Sequence, residues 1–375
     1  MNGNKNQAIV FCNTLWFALN FKFEVCNKLT EGYDKLLIIY LRKGPPHSNE
    51  KKKILEKKGV IFFEFRDFLL FRIKNFFYGG TKSILLTFTI GPILLGTIPI
   101  LFNQRRKIVV LEGLGRVFSS NKIFYKVFKI FITLIYKVVF RICYDQIVVL
   151  NYIDYSFLLE DSFCPLSKLK IIPGTGIDSK VFNLNNISKY RDNSNSQKNW
   201  IAYIGRIDKD KGFYRFIAAA TYLIKNNSLK DHKFVVICPE DDIKKLPRDF
   251  PENLRKIGIF IYPYVANILV YYCNIKIIVI PTVYSEGLSR VGLEACLLSI
   301  PIIGTFNRGI VDIVRNNYNG ILLNDSSSYG IAYAVEEIIK NYNFFVKNSE
   351  IHSKIINKRY GIDVSLKSLF DIIKS

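Results

Sequence analysis

The stretch IVIPTVYSEGLSRVGLEAC, residues 278–296, decides how this 375-residue chain is read. An apolar run ends at Pro281, a polar loop follows, and a helical pattern starts around Ser289. Two carboxylates bracket the turn with E-x7-E spacing, Glu286 in the loop and Glu294 further into the helix. Open α/β sheets present their ligands where a strand's carboxyl end hands over to a loop and a helix N-terminus. Free backbone N–H groups expected at Gly287, Leu288 and Ser289, with the helix dipole behind them, suit an anion such as a diphosphate.

Outward from this stretch, apolar runs alternate with helical patterns. From Trp200 the order is strand IAYIG, loop RIDKDKG, helix FYRFIAAATYLI, strands FVVIC and IGIFI, helix NILVYYC and strand IIVIPT. Upstream, 7–14, 36–40, 60–65, 108–111 and 147–150 read as buried strands, and 169–173 leads into GTGIDSKVF. This is the spacing of βα units on parallel sheets. The length calls for two cores. We expect an N-terminal Rossmann-like domain over 1–182 and a Ser/Asn-rich linker, NLNNISKYRDNSNSQKN, over 183–199. A second Rossmann-like domain over 200–352 follows. A helical segment over 353–375, without a further strand, is expected to pack back on the first domain.

Composition narrows the class. Apolar residues make up 49% and aromatics 14%, which excludes a disordered chain. Seven scattered cysteines with no C-x2-C pair, and three histidines, argue against a structural zinc site or a disulfide framework and fit a reducing compartment. The N-terminus lacks the apolar core and cleavage site of a signal peptide. The net charge is +22, and residues 1–185 carry 27 Lys/Arg against 13 Asp/Glu. Such a surface suits a negative partner: nucleic acid, anionic lipid or a phosphorylated substrate. A lysine-rich composition could equally drift basic without a function.

Two stretches bear on membranes. Residues 83–104 run without a charge, as a spanning helix would, yet Thr87, Thr89, Gly91-Pro92 and Gly96 read as strand, turn and buried helix. FYKVFKIFITLIYKVVFR, 124–141, is a basic amphipathic helix, either an ordinary surface helix or one lying on an anionic membrane. FLLFRIKNFFY, 68–78, interleaves aromatics with Arg72 and Lys74 and is the one hint of nucleic-acid binding.

The chain resembles retaining, nucleotide-sugar-dependent glycosyltransferases of the GT-B class, family 4. The resemblance is strongest in YIGRIDKDKG (203–212), SEGLSRVGLEAC (285–296), SIPIIGTFNRGIVDIV (299–314) and NNYNGILL (316–323). ALNFKFEVCNKL (18–29), TFTIGPILLG (87–96), VVLEGLGRVF (109–118), VVLNYIDYSF (148–157) and IPGTGIDSKVF (172–182) resemble the branch that builds lipid-linked oligosaccharides for surface polysaccharides, O-antigen or capsule. The resemblance implies two Rossmann-like α/β domains facing each other across a cleft. It further implies Arg206 and Lys211 as the diphosphate-binding pair, Glu286 facing the donor sugar, and Glu294 accepting from the ribose hydroxyls. Gly205, Gly287, Leu288 and Ser289 would line the nucleotide-sugar site. A leaving diphosphate needs such positive charge and N–H groups as the glycosidic bond breaks, and many of these enzymes work without a metal. Base recognition falls in Gly258–Tyr264, and Gly176-Ile177-Asp178 matches the family's hinge, though it reads equally as a plain glycine turn.

Departures from the family pattern lie mainly in the first half. No histidine sits on a loop suited to the donor sugar; the three present are His47, His232 and His352. Glu112, beside Gly113 and Gly115, offers a carboxylate there or serves local structure. CNTLWFALN replaces the glycine-rich turn after the first strand, so Asn13, Asn20, Lys22 and Glu112 are the acceptor-side candidates. Cys238-Pro239 replaces the usual glycine after FVVIC. Glu240-Asp241-Asp242 lacks D-x-D spacing and reads as a solvated turn, so no metal site is expected.

The expectation is a hexosyltransferase with no cofactor, moving a hexose or N-acetylhexosamine from a UDP-sugar, with a GDP-sugar as the other option. The acceptor is expected to be a polyprenyl-diphosphate-linked sugar at the cytoplasmic face of the inner membrane. There the protein would be peripheral, held to the anionic surface by its basic first domain, with no nucleic-acid partner. The alternatives are a basic nucleic-acid-binding protein and an integral membrane protein without transferase activity.

Overall fold

The computed structural model describes all residues except 1–5, 45–48, 75–82, 100, 101, 103, 115–117, 119–122, 175, 191–198 and 285, with the backbone alone at 72–74 and 123–128. His47 and Gly115 lie outside the described residues, as do the side chains of Arg72 and Lys74. Two compact units result, Met1–Thr175 with Ser365–Ser375, and Gly176–Val364.

The first unit is built on a seven-stranded parallel sheet. Its strands are β1 (Gln7–Thr14), β2 (Lys35–Arg42), β3 (Ile61–Glu64), β4 (Ser83–Phe88), β5 (Arg106–Leu111), β6 (Gln146–Val149) and β7 (Leu169–Ile171). Their order is β3-β2-β1-β4-β5-β6-β7. The pleat sends alternate side chains to opposite faces. Ala8, Val10 and Cys12 join one core with Leu86, Phe88 and Val110, while Ile9 and Phe11 join another with Leu37, Ile39 and Leu85. A strand covered on both faces has no polar side, which explains the charge-free run from Ser83. Ser83–Phe88 is a wholly buried inner strand and Ile90–Leu95 a short packed helix. Among the described residues no helix is long and apolar enough to cross a membrane, so the spanning-helix reading of this stretch is corrected.

The second unit carries a six-stranded parallel sheet in the order β10-β9-β8-β11-β12-β13. These are β8 (Trp200–Ile204), β9 (Lys233–Cys238), β10 (Ile259–Pro263), β11 (Ile275–Ile280), β12 (Ile302–Thr305) and β13 (Gly320–Leu323). In each sheet the order reverses beside the first strand, between β1 and β4 and between β8 and β11. That is the switch point where α/β sheets open a crevice.

The chain changes unit at 175/176, ahead of the expected boundary at 182. Residues 183–190, expected as linker, are structured in the second unit: the Asn183 side chain caps the helix Leu184–Ser188, and Ile187 is buried. The return to the first unit falls at Val364/Ser365, so the helix Tyr342–Tyr360 stays with the second unit. Leu369, Phe370 and Ile373 enter the core beneath β1 and β4. The Arg106 guanidinium donates to the carbonyls of Ile372 at 2.7 Å and Ile373 at 3.0 Å. A helix's last carbonyls have no partner within the helix, and here an arginine supplies one.

Candidate active site

The segments after β8 and β11 are joined by hydrogen bonds. Val283 N–H donates to Asp210 O at 2.8 Å, and the Arg215 guanidinium donates to Pro281 O at 3.2 Å. Gly212 makes this approach feasible, with φ +86° and a position where a Cβ would lie 2.2 Å from Pro281 O. On the far side, Asn307 Nδ2 donates to Tyr284 O at 2.9 Å. A Cβ on Gly309 would lie 3.0 Å from Leu288 Cα, so the strand-to-helix turn is clasped from both flanks.

Within this frame Lys211 forms an ion pair with Glu286, and the Lys211 ammonium lies 5.2 Å from the centre of the Tyr284 ring. Two groups expected on different parts of a donor thus touch each other. Arg206 is exposed, and its carbonyl accepts from the Tyr203 hydroxyl at 2.6 Å. Gly205 N–H is taken by Ile237 O at 3.0 Å.

Ser289 begins the helix Arg290–Leu297 as expected, its hydroxyl accepting from Gly292 N–H at 3.2 Å. Its own N–H, however, donates to Gly309 O at 3.3 Å. The expectation of a free N–H at Ser289 is therefore corrected, because the close pass of Gly309 consumes it. Gly287 is buried and also engaged, while Leu288 packs partly into the apolar core of the unit.

Glu294 is only 8% exposed. Tyr272 O–H donates to its Oε2 at 2.8 Å and Arg290 Nε–H to its Oε1 at 3.0 Å. Burial raises its carboxyl above the usual range, against the opposing pull of Arg290 and the Tyr272 hydroxyl. Tyr272 is itself pushed well up by burial and then by the neighbouring Glu294 charge. Each carboxylate oxygen has a second lone pair, so a ligand hydroxyl can still be accepted.

Tyr272 and Arg290 were not singled out in the sequence. The i,i+4 spacing of Arg290 and Glu294 was a usable signal; the tyrosine, 22 positions away, offered none. Tyr264 was named only within a segment. It is 41% exposed. It follows β10 directly, and its N–H donates to Cys238 O at 2.9 Å.

Asp242 Oδ2 accepts Ile207 N–H at 3.1 Å and so braces the loop carrying Arg206, while Glu240 pairs with Lys244 at 3.0 Å in solvent. Among the described residues no three His, Cys, Asp or Glu side chains gather as a metal-ligand set. His352 is hydrogen-bonded to Ile313 O at 2.9 Å, and burial lowers both it and His232. On the first unit Asn20 Nδ2 donates to Trp16 O at 3.0 Å within its own helix, Asn13 lies near the end of β1, and Lys22 pairs with Glu112.

Two doubly wound parallel-sheet units are the GT-B architecture of glycosyltransferases. Anabaena HepE in complex with UDP and glucose superposes with a TM-score of 0.76 at 14% identity over 98% of this chain and 99% of that one. A sucrose-phosphate synthase from Thermosynechococcus elongatus gives 0.74 at 13% over 98% of both. Residues 198–341 match the family model described as glycosyl transferases group 1.

Among curated relatives, the capsular polysaccharide biosynthesis glycosyltransferase CapM of Staphylococcus aureus is 24% identical over 256 residues, 66% of this chain and 65% of that protein. A Campylobacter jejuni α-1,4-N-acetyl-D-galactosaminyltransferase, named for a PP-undecaprenol-linked acceptor, is 24% identical over 156 residues, 41% of this chain and 42% of that protein. The chain thus matches less than two thirds of the length of either relative.

Proposed function

We propose that this protein transfers a hexose or N-acetylhexosamine from a nucleotide diphosphate sugar, with UDP favoured, to a polyprenyl-diphosphate-linked sugar in surface-glycan assembly. The observation that carries the reading is the Lys211–Glu286 contact beside the Glu294–Arg290–Tyr272 cluster, at the carboxyl ends of β8 and β11. The group 1 family match, the UDP and glucose of Anabaena HepE and the lipid-linked acceptor named for the Campylobacter relative support it.

In this reading Glu294 takes the ribose hydroxyls, Glu286 faces the donor sugar, and Tyr264 borders the base. Arg206 and Lys211 offset charge on the leaving diphosphate as the bond to the anomeric carbon breaks. The acceptor oxygen attacks from the same face, its proton passes to a phosphate oxygen, and the anomeric configuration is retained. Positive charge comes from side chains, so no metal is needed.

The same reading places the protein on the cytoplasmic face of an anionic membrane. The helix Ile123–Ile142 leaves Ile130 63%, Phe131 64% and Ile142 76% exposed, with Leu134 and Val138 beside them. Lys129, Lys137 and Arg141 lie on the same helix. Apolar insertion flanked by basic residues suits a lipid surface.

The test is hydrolysis of UDP-, GDP- and dTDP-sugars by the purified protein, followed by NMR assignment of the product anomer. UDP-sugar turnover that survives EDTA is expected and falls at least about a hundredfold in Arg206→Ala. A folded Arg206→Ala protein with the wild-type rate overturns the donor-site assignment. Salt-sensitive binding to phosphatidylglycerol vesicles, lost in I130S/L134S/V138S, checks the membrane surface.

A further inference from the structure

Lys22 of the first unit is not among the groups gathered after β8 and β11. It joins the helices Leu15–Phe21 and Phe23–Gly32, is 2% exposed, and its ammonium lies 4.8 Å from the centre of Phe88 and 5.4 Å from that of Phe17. A lysine so deeply placed needs a counter-charge. Glu112, directly after β5, supplies it. The two partners are not equally enclosed, for the Glu112 side chain keeps 21% of its surface in solvent.

Their position is telling. Lys22 reaches over the carboxyl end of β4 beside β1, the switch point of this sheet, and Glu112 stands at the carboxyl end of β5. The backbone there is bent to order. Thr89, immediately after β4, has φ +70°, a strained conformation for a β-branched residue, and Gly113, immediately after Glu112, has φ +112°. Ordinary stability does not account for the pair, since replacing a buried ion pair by apolar side chains is often neutral or favourable.

We propose that Glu112 is the carboxylate that accepts a hydrogen bond from the hydroxyl of the acceptor sugar, and that Lys22 is its positioning residue. An ionised carboxylate only accepts, so the site takes a neutral sugar bearing hydroxyls and disfavours a bare phosphate. The buried ammonium fixes the near oxygen of Glu112 and leaves the solvent-facing one for the ligand. This rests on the transferase reading, and it assigns the acceptor's sugar to the first unit's switch point.

The test measures transfer from the preferred nucleotide sugar to prenyl-diphosphate sugars extracted from the cells that make the protein, with separate KM values for donor and acceptor pool. Glu112→Asp keeps the charge that Lys22 needs and retracts the oxygens by one methylene. Glu112→Asp and Lys22→Met should raise the acceptor KM by about tenfold or more, the loss of one charge-assisted hydrogen bond. The donor KM should stay within about twofold, and Lys22→Arg should restore the acceptor KM.

Equal rises in both KM values, or none in either variant, overturn the assignment and leave the donor reading standing. If Lys22→Met fails to fold, Glu112→Asp and Lys22→Arg decide by the same split. A wild-type protein that turns over the donor but transfers to no extracted lipid overturns the acceptor reading and this assignment with it.

Discussion

Replacing Tyr272 by Phe removes one hydroxyl and tests the physics of the nucleotide-side carboxylate. Tyr272 O–H lies 2.8 Å from Glu294 Oε2, both groups are buried, and the donor on the other oxygen is Arg290 at 3.0 Å. A hydrogen bond to an ionised group contributes about 1.5–3 kcal/mol, or roughly one to two pH units in the carboxyl's titration. Arg290 remains, so the lower figure is expected. Burial already holds this carboxyl above its unfolded value. Its ionisation therefore opposes folding: its contribution is most favourable below the unfolded pKa and declines as pH rises through the window up to the folded pKa. Without the hydroxyl, the folded value climbs further and that window widens upward. In Tyr272→Phe the acid limb of 1/KM for the nucleotide sugar should move up by about one unit. Stability above the window should fall by about 1–2 kcal/mol in urea titrations at neutral pH. The assay is KM against pH from 4.5 to 8 with paired urea curves. An unmoved acid limb in a folded variant refutes the claim that Glu294 binds the donor as a carboxylate tuned by Tyr272.

Lys211→Met should raise the donor KM about tenfold or more, and with Glu286→Gln it should form a double-mutant cycle with a coupling of about 0.5–3 kcal/mol; additive effects would show that the ion pair does not persist in solution. Gly212→Ala should lower stability by about 1–3 kcal/mol from its φ of +86° alone, with the contact to Pro281 O adding to this, so a change under about 0.5 kcal/mol in thermal melts counts against the clasped loop. Arg106→Ala should cost about 1–3 kcal/mol and open the helix Ile362–Lys374 to limited proteolysis, and unchanged resistance would mean the carbonyl contacts add nothing.

What the sequence disclosed depended on how local the cause was. The two parallel sheets were legible because strands buried on both faces are short, continuous apolar runs, and because E-x7-E sits where such a run meets a helix. The same property blurred the charge-free run from Ser83, since an inner parallel strand and a membrane span share a composition, and only pairing with β1 and β5 tells them apart. The Ser289 N–H was misjudged for a tertiary reason. Whether a helix's first N–H groups are open depends on what passes over them, and Gly309 lies 20 residues further on. The partnerships of Tyr272 with Glu294 and of Lys22 with Glu112 are likewise absent from any window of sequence.

The Lys211–Glu286 pair bears on how the donor would enter. With the two side chains in contact, a diphosphate that recruits Lys211 takes that cation from Glu286. The freed carboxylate must then find another donor, and a sugar hydroxyl is the neutral group that can supply one. Diphosphate and sugar would thus be recognised together: a nucleoside diphosphate alone strips Glu286 of its partner without offering a replacement, whereas the full nucleotide sugar offers both. UDP should therefore gain affinity when Glu286 is made Gln, because no carboxylate is left stranded, while the UDP-sugar should lose it. Calorimetric titration of both ligands into both proteins reads the sign directly, and weaker binding of UDP by Glu286→Gln would show that the exchange does not occur.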